Sequence, residues 1–188
     1  MFYFAYGSNI NMAQMLVRTK GYMSYPIGQG VIEGYKLSFK GTKEIGYYAT
    51  IEKAERHKVP VICYNLDERL VKKLDKYEGV AQGWYHKEIL TVKIKSFLGH
   101  SVEVQGAIYI MNDVINKVPI QYHTPEPIYV AKISIGYHSF GLKTEPIQST
   151  ILEILHNKSK TAEYIETVKK EINFQNSNLF TDTNTKVK

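Results

Sequence analysis

Chemistry is first suggested by the polar turn Gly7-Ser8-Asn9, which follows the aromatic run from Tyr3 to Tyr6. Ser and Asn side chains supply hydrogen-bond donors and acceptors, and glycine permits backbone angles that other residues resist. A helix predicted to begin after Asn9 would add free backbone N–H groups and a favourable dipole. The turn is therefore a candidate cradle for a carboxylate or a developing oxyanion.

The second candidate is Glu78, in the last turn of a predicted helix. A carboxylate there faces the negative end of the helix dipole, and Asp75 one turn earlier adds a like charge. Both effects raise the pKa of Glu78, and neighbours such as Tyr77, Trp84 and Tyr85 would add desolvation. Glu78 is thus a candidate general base near neutral pH. The alternative is a solvated surface acid that ends an amphipathic helix.

Other catalytic groups have weaker support. A Ser8 nucleophile would need Gly-x-Ser-x-Gly, but Tyr6 and Ile10 occupy the two glycine positions. Cys63 lies in an apolar predicted strand with nothing nearby to lower its pKa. The histidines lack ligand spacing such as His-x3-His, so no metal site is expected; they are His57, His86, His100, His123, His138 and His156.

The elements that would position these residues are strands first and helices later. Strands are predicted at residues 3–6, 31–39, 47–51, 59–65, 85–94 and 102–111. Helices are predicted at residues 10–18, 67–78, from 125–127 to about 141, 146–155 and 161–172. Asn9 is the expected N-cap of the first helix, and Gly79 is expected to end the second. Strands clustered before helices favour an α+β domain.

The composition fits an ordinary globular protein, with 44% hydrophobic and 22% charged residues among 188. A single domain is expected over residues 1–175, with a core at 2–142, C-terminal helices at 146–172, and a polar, mobile tail at 176–188. Without a membrane span or signal core, and with one cysteine, the protein is expected to be cytoplasmic. The formal charge is +6, but the lysines are scattered, so no nucleic-acid partner is expected.

An ordered set of motifs resembles the gamma-glutamylcyclotransferase-like family. It spans roughly residues 2 to 142 and includes Tyr6-Gly7-Ser8-Asn9, Arg18, Gly46 to Ile51, Glu78-Gly79, Gly83-Trp84-Tyr85, Tyr129, and the Gly-x4-Gly-Leu pattern of Gly136 to Leu142. The set is more specific than any single short match. Two positions depart from the pattern, Val61 in place of glycine and Tyr137 in place of alanine.

The resemblance implies a gamma-glutamylcyclotransferase-like fold, a small mixed β-barrel or sheet flanked by helices. It also implies an intramolecular acyl transfer that cyclises a small γ-glutamyl amide to 5-oxoproline and releases an amine or amino acid. No metal or other cofactor is implied. Glu78 would be the catalytic acid and base, and the implied substrate-binding residues are Tyr6, Gly7, Ser8, Asn9, Tyr85 and Tyr129.

Several alternatives stay open at this point. The chain could be a binding module that holds γ-glutamyl compounds without reaction, although a pure binder has no need for Glu78. A serine hydrolase would use Ser8 as nucleophile. Arg18 could bind a substrate carboxylate or form a structural ion pair, and the structural role is favoured. The sequence does not identify the leaving group or the oligomeric state, for which a homodimer is one candidate.

Overall fold

The computed structural model describes residues 1–22, 24–42, 46–113 and 124–181. The described strands are β1 (Phe2–Ala5), β2 (Pro26–Thr42), β3 (Gly46–Asn65), β4 (Tyr85–Ser96) and β5 (Ser101–Met111). A 3-10 turn at Ser8–Ile10 precedes the first α-helix. The described helices are α1 (Met12–Arg18), α2 (Glu68–Tyr77), α3 (Pro127–Ser139), α4 (Glu145–Leu155) and α5 (Lys158–Thr181).

The strands form a closed barrel in the order β1-β3-β2-β4-β5. β1 is antiparallel to β3, with Phe4 opposite Cys63, and parallel to β5, with Tyr3 opposite Ala107. Gly106 permits this closure, because a Cβ atom there would lie 2.8 Å from the ring of Phe4. The predicted α+β class with a small mixed barrel flanked by helices is confirmed.

β3 is longer than the sequence predicts. The prediction divides it into 47–51 and 59–65 because the intervening residues are charged or polar and lack apolar alternation. In the structure the strand is continuous, and its pairing with β2 is interrupted by an irregularity between Glu33 and Tyr35. Glu33 lies opposite Lys58 and Tyr35 opposite Lys53, so residues 54–57 of β3 bulge from the ladder. The side chains of Lys58 and Glu33 form an exposed ion pair at 2.5 Å beside this bulge. β2 likewise begins before the predicted residue 31, at Pro26.

Helix α3 packs its buried side chains against the barrel and the turn after β1. Val130, Ala131, Ile133 and Tyr137 are fully buried. Gly136 brings the helix close to that turn, because a Cβ atom there would lie 2.7 Å from the backbone nitrogen of Asn11. This contact fixes the position of the turn that precedes α1.

Helix α5 extends beyond the predicted end at residue 172. The helix continues as far as Thr181, so its predicted end at 172 is wrong, whereas the polar tail from 176 stays a prediction. The segment contains no Gly or Pro to end the helix, and Ser177 Oγ donates to the carbonyl of Asn173 at 2.9 Å. Residues 182–188 lie outside the described part, and the single domain over 1–175 stays a prediction. No helix in the described part is long and apolar enough to cross a membrane.

Candidate active site

The turn after β1 is held from three sides. Tyr6 Oη donates to the carbonyl of Tyr109 at 2.6 Å, and Tyr137 Oη donates to the carbonyl of Tyr6 at 3.3 Å. At Gly7 the chain approaches β3, because a Cβ atom there would lie 3.0 Å from Ala49 Cβ. The backbone N–H of Ile10 then closes the turn by donating to the carbonyl of Gly7 at 3.0 Å.

The N-cap prediction for Asn9 is wrong. The 3-10 turn occupies residues 8 to 10, so the α-helix begins later and its N-cap is Asn11. Asn11 Oδ1 accepts from the backbone N–H groups of Ala13 at 3.0 Å and Gln14 at 3.3 Å. The side chain of Asn9 is thereby left for other contacts, and the backbone of the cradle belongs to the 3-10 turn rather than to α1.

Glu78 caps the C-terminal end of α2, where Gly79 ends the helix with φ +64° as predicted. Its Oε1 accepts from Asn9 Nδ2 at 3.0 Å. Glu78 Oε2 accepts no hydrogen bond from the described residues. The two motifs that the sequence separates by almost seventy positions therefore meet in space, and among the described residues only one of the two carboxylate oxygens accepts a hydrogen bond.

The pKa of Glu78 is raised above its ordinary value. Burial is the main cause, and it outweighs the lowering by the Arg18 guanidinium and by the hydrogen bond from Asn9. Asp75 is not among the causes; its carboxylate accepts from Tyr109 Oη at 2.6 Å and from Lys87 Nζ at 2.9 Å. The predicted direction is correct, but desolvation rather than a neighbouring acid produces it.

Arg18 is anchored in the wall of the same cavity. One terminal nitrogen donates to Ser8 Oγ at 2.8 Å and to Tyr77 Oη at 3.1 Å, and the other donates to Asn9 Oδ1. The guanidinium also lies 4.1 Å from the centre of the Tyr77 ring. These contacts hold the guanidinium in place, but all of these partners are neutral, so none of them is the ion pair favoured from sequence.

These residues surround a cavity of about 330 Å³. All the site residues predicted from sequence line it, which are Tyr6, Gly7, Ser8, Asn9, Glu78, Tyr85 and Tyr129. The site prediction did not include the other lining residues, Tyr3, Arg18, Tyr48, Ala49, Tyr77, Trp84 and Tyr109. Tyr48 and Ala49 lie in the Gly46 to Ile51 motif, which is a signal for them. Tyr3 of β1 and Tyr109 of β5 lie close together because these two strands pair in the barrel, and no local sequence pattern indicates that pairing.

Tyr85 and Tyr129 both attach to the backbone of Ala49. Tyr85 Oη donates to the carbonyl of Ala49 at 2.9 Å, and the backbone N–H of Ala49 donates to Tyr129 Oη at 3.1 Å. Burial raises the pKa of both phenols above the ordinary tyrosine value. They are therefore neutral walls of the cavity near physiological pH. Among the described residues, Glu78 is the one carboxylate that lines the cavity.

The described structure gives little support to a serine nucleophile, a reactive cysteine or a metal ion as the catalytic group. Among the described residues no histidine lines this cavity, and Ser8 Oγ accepts from Arg18 at 2.8 Å rather than from an imidazole. Burial raises the pKa of the Cys63 thiol to about 12. Among the described residues, no three His, Cys, Asp or Glu side chains form a group that could hold a metal ion.

The two departures from the family pattern lie outside the cavity lining. Val61 is fully buried in β3, opposite Gly30. Tyr137 is fully buried in α3 and reaches the site only through its hydrogen bond to Tyr6. Neither residue changes the shape of the cavity directly.

A larger groove of about 780 Å³ lies between β2 and β4. Its charged lining residues are Glu33, Lys93 and Lys95, all exposed. It contains none of the predicted site residues and no buried acid. The smaller cavity is therefore the candidate active site.

Comparison with known proteins agrees with this geometry. Residues 3–128 match the family described as gamma-glutamyl cyclotransferase, AIG2-like. No curated protein matches the chain. A solved structure named gamma-glutamyl cyclotransferase is similar with a TM-score of 0.61 and 25% sequence identity, over 77% of this chain and 82% of that chain.

Two further solved structures share the fold at lower identity. An uncharacterized protein from Homo sapiens has a TM-score of 0.59 and 24% identity, over 77% of this chain and 82% of its own. A gamma-glutamyl cyclotransferase specific to glutathione, from yeast, has a TM-score of 0.52 and 12% identity, over 91% of this chain and 96% of its own. Because the family match spans well over half of the sequence, the chain belongs to the gamma-glutamyl cyclotransferase, AIG2-like family.

Proposed function

We propose that the protein is a gamma-glutamylcyclotransferase-type enzyme that converts a γ-glutamyl amide to 5-oxoproline and releases an amine or amino acid. The observation that supports this most is the position of Glu78, a desolvated carboxylate with a raised pKa that faces the turn of Gly7 and Ser8 across a small cavity. A base of this kind suits proton transfer near neutral pH. The cavity volume is in the range of small-molecule sites.

The reaction begins when Glu78 Oε2 takes one proton from the substrate α-ammonium. The amine nitrogen then attacks the γ-carbonyl carbon, a C–N bond closes the five-membered ring, and the carbonyl electron pair moves onto oxygen. When that pair returns, the original C–N bond breaks and Glu78 gives its proton to the leaving nitrogen. The second proton lost by the ring nitrogen passes to the released amine, which leaves as an ammonium ion.

The turn supplies the electrostatic part of this mechanism. Within the described residues the backbone N–H groups of Gly7 and Ser8 donate to no protein acceptor, so they remain for a substrate oxygen. In the proposed complex they hold either the γ-carbonyl oxygen or the α-carboxylate. The attacking group belongs to the substrate, so the enzyme needs only to hold it in a near-attack geometry.

The aromatic residues would restrict water and receive the leaving group. Tyr6 and Tyr85 are buried, whereas Tyr48, Tyr77 and Trp84 are partly exposed at the cavity. We place the γ-glutamyl group near the buried pair and the leaving group near the exposed ones. The leaving group stays open among an amino acid, an ε-lysyl amine, a glutathione-like peptide and a specialised metabolite. We also propose a cytoplasmic location, with a homodimer as one candidate oligomeric state.

The experiment is a panel of γ-glutamyl amides with 5-oxoproline release as the readout, and calorimetric binding on the same panel. Release by the wild-type protein and its loss in Glu78→Gln are the expected results. Binding without release from any member would favour the non-catalytic binding module. Release of glutamate, together with labelling of Ser8 by a serine-directed reagent, would favour the hydrolase. Unchanged turnover in Glu78→Gln would refute the proposed mechanism.

A further inference from the structure

Asn9 lies between the two opposite charges of the cavity. Its Oδ1 accepts from Arg18, while its Nδ2 donates to Glu78 Oε1 at 3.0 Å and to Tyr3 Oη at 2.7 Å. A guanidinium can only donate hydrogen bonds and an ionised carboxylate can only accept them. One orientation of the amide satisfies both neighbours, and the flipped orientation would oppose donor to donor and acceptor to acceptor.

We infer that Arg18 is a positioning residue that acts through Asn9. By fixing the Asn9 amide, it directs Nδ2 to Glu78 Oε1 and so leaves Oε2 as the oxygen that exchanges the proton with substrate. The inference rests on the proposed function, because it assigns the proton transfer of that reaction to one carboxylate oxygen. It goes beyond the structural ion pair expected for Arg18 from sequence.

The anchoring of Arg18 makes this role physically reasonable. Its guanidinium is held by Ser8 Oγ, Tyr77 Oη and the Tyr77 ring, so its direction is fixed independently of Asn9. Arg18 ends α1 and Glu78 caps α2, so the Asn9 amide joins two separate elements. The two helices are also joined nearby, where Lys73 Nζ of α2 donates to the carbonyl of Thr19, the C-cap of α1, at 2.9 Å. A side chain fixed in this way can orient its neighbour.

A different role for Arg18 is a direct effect of its positive charge on Glu78. That effect requires a cation in the wall but no hydrogen bond to Asn9. Lysine separates the two roles, because it retains the charge but lacks the planar fork that reaches two acceptors together. Arg18→Lys is therefore the informative variant, and Arg18→Met removes both properties.

The kinetic test uses Arg18→Lys, Arg18→Met, Asn9→Ala and the two double variants, on whichever γ-glutamyl amide the wild-type protein turns over. Each single change should lower kcat by about 10- to 100-fold, the size of one charge-assisted hydrogen bond. In the Asn9→Ala background, either Arg18 change should add less than about 3-fold, because the residue through which it acts is gone. Arg69→Met, an exposed arginine of α2 away from the cavity, is the matched control and should leave kcat unchanged. Wild-type kcat in Arg18→Lys, or losses that multiply in the double variants, would overturn the inference.

A second readout needs no turnover. In the wild-type protein the side-chain amide signals of Asn9 in a nitrogen–proton NMR spectrum should shift as Glu78 titrates, because the two groups share a hydrogen bond. This pH-dependent shift should disappear in Arg18→Lys, whose charge is intact, and persist in Arg69→Met. Its persistence in Arg18→Lys would overturn the positioning role. If no γ-glutamyl amide is turned over, the proposed function fails, and the NMR result still decides what Arg18 does.

Discussion

Glu78→Gln is the substitution from which most can be learned. Glutamine has the same shape, and its amide oxygen can still accept from Asn9 Nδ2, so the cavity should keep its geometry. The proton-accepting carboxylate is lost, and no other carboxylate lines the cavity among the described residues. General acid–base catalysis contributes roughly 10²- to 10⁴-fold. Because Glu78 takes part in both ring closure and amine departure, we expect kcat to fall by about 10⁴-fold, or about 5 kcal/mol in activation free energy.

The assay compares two γ-glutamyl substrates, an alkyl amide and a p-nitroanilide, by chromatographic measurement of 5-oxoproline. An alkylamine departs only with a proton, whereas p-nitroaniline departs readily without one. Glu78→Gln should therefore lose less on the anilide, about 10²-fold, because only the first proton transfer is affected. KM should change by less than a few-fold on both. The control is Glu68→Gln, an exposed glutamate of α2 paired with Lys72, which should behave as wild type.

Two results would refute parts of this reasoning. If Glu78→Gln retained more than a tenth of wild-type kcat on the alkyl amide, Glu78 would not be the base. If the losses on the two substrates were equal, Glu78 would assist the attack but would not protonate the leaving nitrogen. A rise in KM with unchanged kcat would instead make Glu78 a binding residue.

Three other predictions follow from the contacts of the site and the fold. First, kcat/KM should rise with pH as Glu78 ionises, with a midpoint above the usual carboxyl range. Asn9→Ala should move this midpoint higher, because the hydrogen bond from Asn9 lowers the pKa of Glu78. A lower midpoint in Asn9→Ala would contradict this prediction. Second, because the folded state raises the pKa of Glu78, it binds that proton more tightly than the unfolded chain does, and Glu78 costs stability above the folded pKa. Urea unfolding of Glu78→Gln should accordingly show a gain in stability relative to wild type that grows as pH rises from the ordinary glutamate pKa to the raised folded pKa and levels off above it. A growing loss would contradict this. Third, Gly136→Ala should lower the free energy of unfolding by about 1–3 kcal/mol, because the alanine Cβ would lie 2.7 Å from the backbone nitrogen of Asn11. An unchanged thermal midpoint would contradict the close packing of α3 against this turn.

The sequence predicts the candidate site better than it predicts the reason the site works. Glu78 could be selected because helical spacing ends at Gly79, and the turn at Gly7 because an apolar strand stops there. Helix spacing cannot report burial, which depends on elements distant in the chain. Local sequence therefore indicates Asp75 as a cause of the raised pKa of Glu78, whereas in the structure the Asp75 carboxylate accepts hydrogen bonds from Tyr109 and Lys87.

Other features needed tertiary information. Two asparagines lie two positions apart, and either Asn9 or Asn11 is a good N-cap by type. The 3-10 turn decides between them, and it is fixed by the contact with Gly136 of α3. Tyr3 joins the cavity through the parallel pairing of β1 with β5, which no local pattern specifies.

The extents of the long elements were underestimated for a similar reason. The charged middle of β3 has no apolar alternation, and it stays part of one strand because β2 pairs with β3 on both sides of the irregularity, at Lys53 and at Lys58. The polar end of α5 has no apolar face to reveal a helix, and its backbone bonds continue without one. Periodicity detects the buried part of an element and misses the part that faces water.

The most direct test of the central claim is the fate of solvent oxygen during turnover. The wild-type protein should be incubated with its best γ-glutamyl amide in water enriched in heavy oxygen, and the products analysed by mass spectrometry. Cyclisation by the substrate's own amine predicts 5-oxoproline without heavy oxygen. Heavy oxygen in the product, whether as glutamate or as 5-oxoproline formed from it, would mean that water attacks the γ-carbonyl and would contradict the proposed reaction.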